Sequence, residues 1–316
     1  MNHRTRRRLP GAALAVGLAA ALLAGGTAAP AAAAPRASIA SCPRQARTTV
    51  FHRGGIPLLD WRENLEFDGR GTLWVSHSGK HRVEGYAPDG SLRTSFPVDG
   101  PGAIRRGPDG MMYVNFGVYP LASDGGVLRF DPTAAVPRPQ RVFHHTPGIN
   151  GLAIDAQGNF YLSRELATGI LKVRPDGTRD ERWTRAADVF GTNGLEIVGD
   201  QLYASVITST SSPVVRVPLD DPAHHTTVAE LSPNPLDLKL LDDLTAVDDG
   251  ALVVVSFRAG ELIRVEPATG RSCVLVSGLH MPTSVRVAHG FGEHDRQHAL
   301  FVTEASGRIV RVVPGR

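Results

Sequence analysis

The stretch 150–163, NGLAIDAQGNFYLS, decides the fold. A polar pair leads into a few mostly apolar residues, a polar turn closes at Gly158, and an aromatic-rich run follows. Two short strand signals around a Gly-containing turn predict a β-hairpin. The same phrase returns along the chain. It reads ENLEFDGRGTLWVS from Glu63, GAIRRGPDGMMYVN from Gly102, NGLEIVGDQLYAS from Asn193 and DDLTAVDDGALVVV from Asp242. A degenerate sixth copy, TSVRVAHGFGEHDRQHALFVTE, starts at Thr283 with a longer turn. The starts are 39, 48, 43, 49 and 41 residues apart.

A second phrase follows each copy: a third strand ending near Pro, as in VEGYAPDG, ILKVRPDG and LIRVEPATG. A fourth strand signal comes next in five copies: RTSFPV, QRVFHHT, DERWTRA, TTVAEL and SCVLVSG. Four strands per unit of about 40–45 residues is the pattern of a propeller blade. A β-sandwich with irregular spacing does not account for six phase-locked copies. The expected fold is therefore all-β: a six-bladed β-propeller with four-stranded blades. The last copy stops after its third strand, and ARTTVFHR (46–53) is the candidate for the missing outer strand, closing the ring from the N-terminal side. The 34 glycines and 23 prolines among 316 residues agree with a fold rich in turns.

The first residues carry a separate message. Arg4, Arg6, Arg7 and Arg8 precede an apolar, Ala-rich run and then TAAPAAAAPRA. This is the three-part layout of a secretory signal. The expected organisation is a signal peptide at 1–33, an N-terminal segment at 34–46 and the propeller at 47–316. Sec and twin-arginine export both fit the start TRRRLP. The formal charge of +3 falls to −1 when those four arginines leave, which removes the electrostatic case for a nucleic-acid partner. A secreted monomer with a small-molecule substrate and no membrane association in its mature form is expected. Residues 39–42, IASC, loosely resemble a lipoprotein box, which keeps a lipid anchor at Cys42 as an alternative.

In a propeller, residues that enter the innermost strands at equivalent positions converge at one end of the central channel. That ring reads Glu63, Gly102, Asn150, Asn193, Asp242 and Thr283. Two carboxylates and two carboxamides converging there suit one divalent metal, with calcium first and zinc, magnesium or manganese as alternatives. His77, after the second strand of the first copy, and His145, before the third copy, are expected to reach the substrate. There is no Gly-x-Ser-x-Gly nucleophile motif, no phosphate-binding Gly loop and no basic aromatic face for nucleic acid.

At these residues the chain resembles the senescence marker protein (regucalcin)/gluconolactonase family, as a secreted bacterial member, over nearly all of the mature chain. The resemblance implies a six-bladed propeller that binds a divalent metal in its channel and hydrolyses a lactone. It implies Glu63, Asn193 (in Thr192-Asn193-Gly194) and Asp242 as metal ligands, and Asn150 as a substrate contact. Asp242 would then be the catalytic residue, ligating the metal and accepting a proton from water. Three positions depart from the family pattern: Asn64 where Pro usually follows the Glu, Asp243 where Gly usually follows the Asp, and Gly148 where the sugar lactonases carry Arg. The reading is a metal-dependent hydrolase of a lactone or ester. The alternatives are a non-catalytic ligand-binding propeller and a lyase or cyclising enzyme on the same scaffold.

Cys42 lies just before the closing strand, and Cys273 lies in the outer strand of the fifth copy. Adjacent blades bring those outer edges together, and an exported chain meets an oxidising compartment. A Cys42–Cys273 disulfide is expected.

Overall fold

The computed structural model describes residues 38–119, 122–167, 169–232, 234 and 236–315. The expected signal, 1–33, lies outside them. Six small antiparallel sheets form the blades of a propeller. Their innermost strands are Asn64–Phe67, Ile104–Arg106, Leu152–Ile154, Thr192–Val198, Leu241–Ala246 and Pro282–Val287. Each opens at a repeat start identified in the sequence, or within two residues of one.

The turn inside each repeated phrase has a common cause. Asp68, Asp109, Asp155 and Asp249 each accept, on Oδ1, the backbone N–H two residues ahead, at 2.7, 3.1, 3.0 and 3.2 Å. These Asx turns reverse the chain between the first two strands of four blades. Gly290 makes the long turn of blade six possible. Its φ is +64°, and a Cβ there would collide with the backbone of Gly69 in blade one.

The ring closes as expected. Arg47–His52 pairs antiparallel with Ile309–Val313, Thr49 opposite Arg311, and supplies the fourth strand of blade six. Aromatic packing welds this seam: Phe301 lies 4.9 Å from Phe51 and 5.4 Å from Phe67, ring centre to ring centre. Burying a side chain of this size stabilises by roughly 1.5–3 kcal/mol.

Blade three departs from the expectation. Its sheet has three strands, and 180–186, expected as the outer strand, forms the helix Glu181–Ala186 instead. The Asp180 side chain caps it, accepting from the N–H of Trp183 at 3.1 Å. Trp183 is buried against Tyr161, at 5.0 Å between rings, and its indole N–H donates to the Leu219 carbonyl at 2.7 Å. A cap and one buried indole outweigh a weak strand pattern.

The N-terminal segment is stitched to blade five. The N–H of Cys42 donates to the Val274 carbonyl, and the N–H of Val274 to the Ala40 carbonyl, each at 2.8 Å. Cys42 and Cys273 form a disulfide with Cα atoms 4.9 Å apart. The bridge spans 231 positions, and loop entropy gives it roughly 5 kcal/mol as an upper figure. This bond and a lipid on the same sulfur exclude each other.

Candidate active site

The inner strands start where two neighbouring blades nearly touch. A Cβ on Gly151 would overlap the Asn193 carbonyl, and one on Gly194 would overlap Asp243 and the Asp242 carbonyl. The N–H of Gly151 donates to Ser163 Oγ at 2.6 Å, and that of Gly194 to Ser205 Oγ at 2.8 Å. Glycine at these two positions lets the blades close, and the asparagine before each is held at the channel mouth. That is the physical content of the Asn-Gly pairs.

Glu63, Asn150, Asn193 and Asp242 line one pocket of about 840 Å³ at this mouth. The other two ring positions do not join them. Gly102 packs on Val118, and the Thr283 hydroxyl is buried, donating to the Arg62 carbonyl at 2.6 Å. A fifth polar residue, Glu165, completes the floor. Its Oε1 accepts from Asn193 Nδ2 at 3.0 Å and also from Asn150 Nδ2. That bond turns the Asn193 amide so that its oxygen is the atom left for a cation.

The electrostatics of this floor are one-sided. Three carboxylates line the pocket, and among the described residues no Lys or Arg does. Burial pushes Glu63 up to about 7; the indole N–H of Trp61 opposes the rise, and the charges of Glu165 and Asp243 add to it. Burial also lifts Asp242 well above the usual carboxylate range, with Glu63, Glu165 and Asp243 reinforcing it. Glu165 is raised by burial against its bond from Asn150. Among the described residues no donor reaches the Asp242 side chain. Oxygen donors with unanswered negative charge fit a hard divalent cation. Glu63, Asn193 and Asp242 are the residues that would hold it.

One residue beyond Glu63 and Asp242 the situation reverses. Asp243 is buried and accepts from Ser284 Oγ at 2.6 Å, Asn64 Nδ2 at 3.0 Å and Arg105 Nη2 at 3.0 Å. Arg286 Nη2 lies 3.2 Å from it. This plug ties blades one, two, five and six. Arg286 also faces Glu66 at 3.4 Å.

No family model and no curated protein matches the sequence. Solved structures do match. A gluconolactonase from Xanthomonas campestris superposes on 88% of this chain and 97% of its own, with a TM-score of 0.64 and 16% identity. A calcium-binding regucalcin from Agrobacterium tumefaciens covers 89% and 97%, with a TM-score of 0.62 and 14% identity. Virginiamycin B lyase from Staphylococcus aureus covers 85% and 99%, with a TM-score of 0.56 and 9% identity. The chain has the fold of the gluconolactonase and regucalcin propellers.

Two expected substrate contacts lie elsewhere on this fold. His77 does not line the pocket. It is fully buried inside blade one, its Nδ1 3.0 Å from Glu84 Oε1 and its Nε2 3.6 Å from Asp60 Oδ1. The carboxylate on the adjacent strand captures the ring. His145 is exposed, outside the pocket lining, with a φ of +60°. It shares Asp124 with His144, each Nδ1 3.7 Å from a carboxylate oxygen. Among the described residues these three make the one group of His, Cys, Asp and Glu with ligand atoms within 4.8 Å of one another. Strand alternation is too local to show which partner a histidine meets. Glu165 escaped the sequence reading because it follows the second strand of blade three, away from any repeat start. The only signal was an acidic residue just after FYLS, at the same end of the blade as Asn150.

Proposed function

We propose that the protein is a secreted, metal-dependent hydrolase of a lactone or ester. The observation that carries the reading is the pocket floor: Glu63, Glu165 and Asp242 line one pocket with Asn150 and Asn193, and among the described residues no Lys or Arg lines it. A divalent cation, with calcium as the first choice, supplies Lewis acidity to a carbonyl oxygen when bound. The chain's own residues do the rest. Asp242, held basic by burial, takes the proton from the attacking water. Asn150 positions the substrate, and Glu165 keeps both amides turned. Trp61 and Phe257 cover one side of the pocket and shield the reacting centre from bulk water. The Cys42–Cys273 disulfide is compatible with an extracellular setting, which supports reading residues 1–33 as an export signal.

Metal content of the purified protein and a lactone and aryl-ester panel test this. Asp242→Ala is expected to lose the metal and about 10²–10⁴-fold of the rate. Full turnover after the metal is stripped overturns the proposal. Reaction in ¹⁸O water separates hydrolysis, which places one label in the acid, from elimination of the kind named for the lyase, which places none. Metal without turnover on any substrate favours the binding propeller.

A further inference from the structure

The walls of the pocket differ from its floor. Besides the acids, the pocket is lined by Trp61, Val118, Ile207, Leu240 and Phe257. The rings of Trp61 and Phe257 stack at 5.7 Å with planes 24° apart. The Trp61 indole N–H donates to Glu63, so one ring joins the apolar wall to the acidic floor.

Several polar atoms of the lining already have protein partners. Ser78 Oγ donates to the Pro101 carbonyl. The Tyr119 hydroxyl donates to Asp99 Oδ2 at 3.1 Å, and His81 Nδ1 lies 2.9 Å from Asp99 Oδ1. A ligand bristling with hydroxyls would bury several of them against apolar side chains, at a cost for each one left unpaired.

The apolar character continues outside the pocket. Ile56, Leu58, Leu59, Tyr119, Leu166 and Phe190 are among the exposed large hydrophobic side chains, with Leu58 at 59% and Leu166 at 86%. All six sit in loops at the same end of the ring as Glu63, and Leu58 and Tyr119 line the pocket directly. Val50, Leu92, Val136 and Val198 are scattered elsewhere. Exposed apolar side chains grouped around one mouth mark a contact surface for an apolar ligand. The volume of about 840 Å³ falls toward the upper part of the roughly 300–1,000 Å³ that holds drug-sized ligands.

We infer that the substrate is an amphipathic lactone or ester, its carbonyl at the acidic floor and a long apolar chain along the Trp61–Phe257 wall, and not a polyhydroxylated sugar lactone. The inference rests on the hydrolase reading above. In the reaction, water oxygen bonds to the carbonyl carbon and the ring or ester C–O bond breaks. One water proton passes through Asp242 to the departing alkoxide. A hydroxy acid, or an acid and an alcohol, is released with its apolar chain intact.

The test uses the calcium-loaded protein with δ-valerolactone, δ-decalactone, δ-dodecalactone and glucono-δ-lactone. Acid release gives kcat/KM, and calorimetry gives binding of the same compounds. The expected result is a kcat/KM that rises about fourfold per methylene until the pocket fills, with glucono-δ-lactone below every alkyl lactone. Phe257→Ala should lower the preference for δ-dodecalactone over δ-valerolactone by about tenfold or more. Glucono-δ-lactone turned over as well as δ-dodecalactone overturns the inference and leaves the hydrolase reading standing. If no lactone and no aryl ester is turned over, the hydrolase reading falls. Calorimetry then decides the substrate class: binding that tightens with chain length supports the apolar wall, and none overturns it.

Discussion

Two layers of the channel, one residue apart in sequence, treat buried charge in opposite ways. The upper layer contains Glu63, Asn193 and Asp242, with Glu165 beside them. Among the described residues no Lys or Arg lines it, and burial holds Glu63 and Asp242 above their ordinary range. The lower layer contains Asn64, Asp243 and Ser284. There the acid is saturated with donors and pinned by Arg105 and Arg286. Successive residues of a strand face different surroundings, so one repeated phrase builds a strained binding floor and a satisfied structural plug back to back. Asn64 and Asp243 touch each other at 3.0 Å. They belong to the plug, and neither lines the pocket.

The sharpest way to break this contrast is Asp243→Ala. It strands two buried guanidinium groups and is expected to cost about 3–5 kcal/mol in urea unfolding. A loss below about 1 kcal/mol would remove the plug from the structural account.

Glu63→Gln should act with the opposite sign on the metal-free protein. Below pH 4.5, the ordinary value, Glu63 is protonated whether folded or not and contributes nothing. Between 4.5 and about 7 the unfolded chain gives up the proton and the folded chain keeps it, so folding stability falls as pH rises. Above about 7 the folded form carries the full penalty. Glu63→Gln removes it and is expected to stabilise the metal-free protein at pH 8 by on the order of 1–3 kcal/mol, with no gain at pH 4. Saturating calcium should abolish the advantage, since only the wild type gains a ligand. Melting curves at the two pH values, with calcium and with chelator, read all of this. Equal melting at pH 8 without metal would mean that the floor is not strained.

Asn64→Ala is the smallest of the three. It removes one donor from Asp243 and one acceptor from Arg105 and is expected to cost about 1 kcal/mol. Calcium affinity should not change. A calcium affinity that falls with it would show that the two layers are coupled.

The repeated phrase, its spacing and the unfinished last copy determined the six blades and the closing strand, because blade phase is a matter of strand length and turn chemistry, both local. The entry position of each copy also determined that Glu63, Asn150, Asn193 and Asp242 share one mouth, since equivalent positions in a ring must meet. The cysteine pair was legible for the same reason: outer strands of adjacent blades are neighbours. The helix in blade three was not, because Trp183 is buried against Tyr161 of another strand and bonded to Leu219 in the next blade. His77 and His145 were misplaced because their carboxylate partners, Glu84 and Asp124, are set by cross-strand register and loop closure. Glu165 reaches the floor only through the loop after Phe160–Leu162, and the apolar mouth is gathered from loops of several blades. Strand periodicity says which way a residue faces. What it faces depends on packing between blades, and only the tertiary structure decided that.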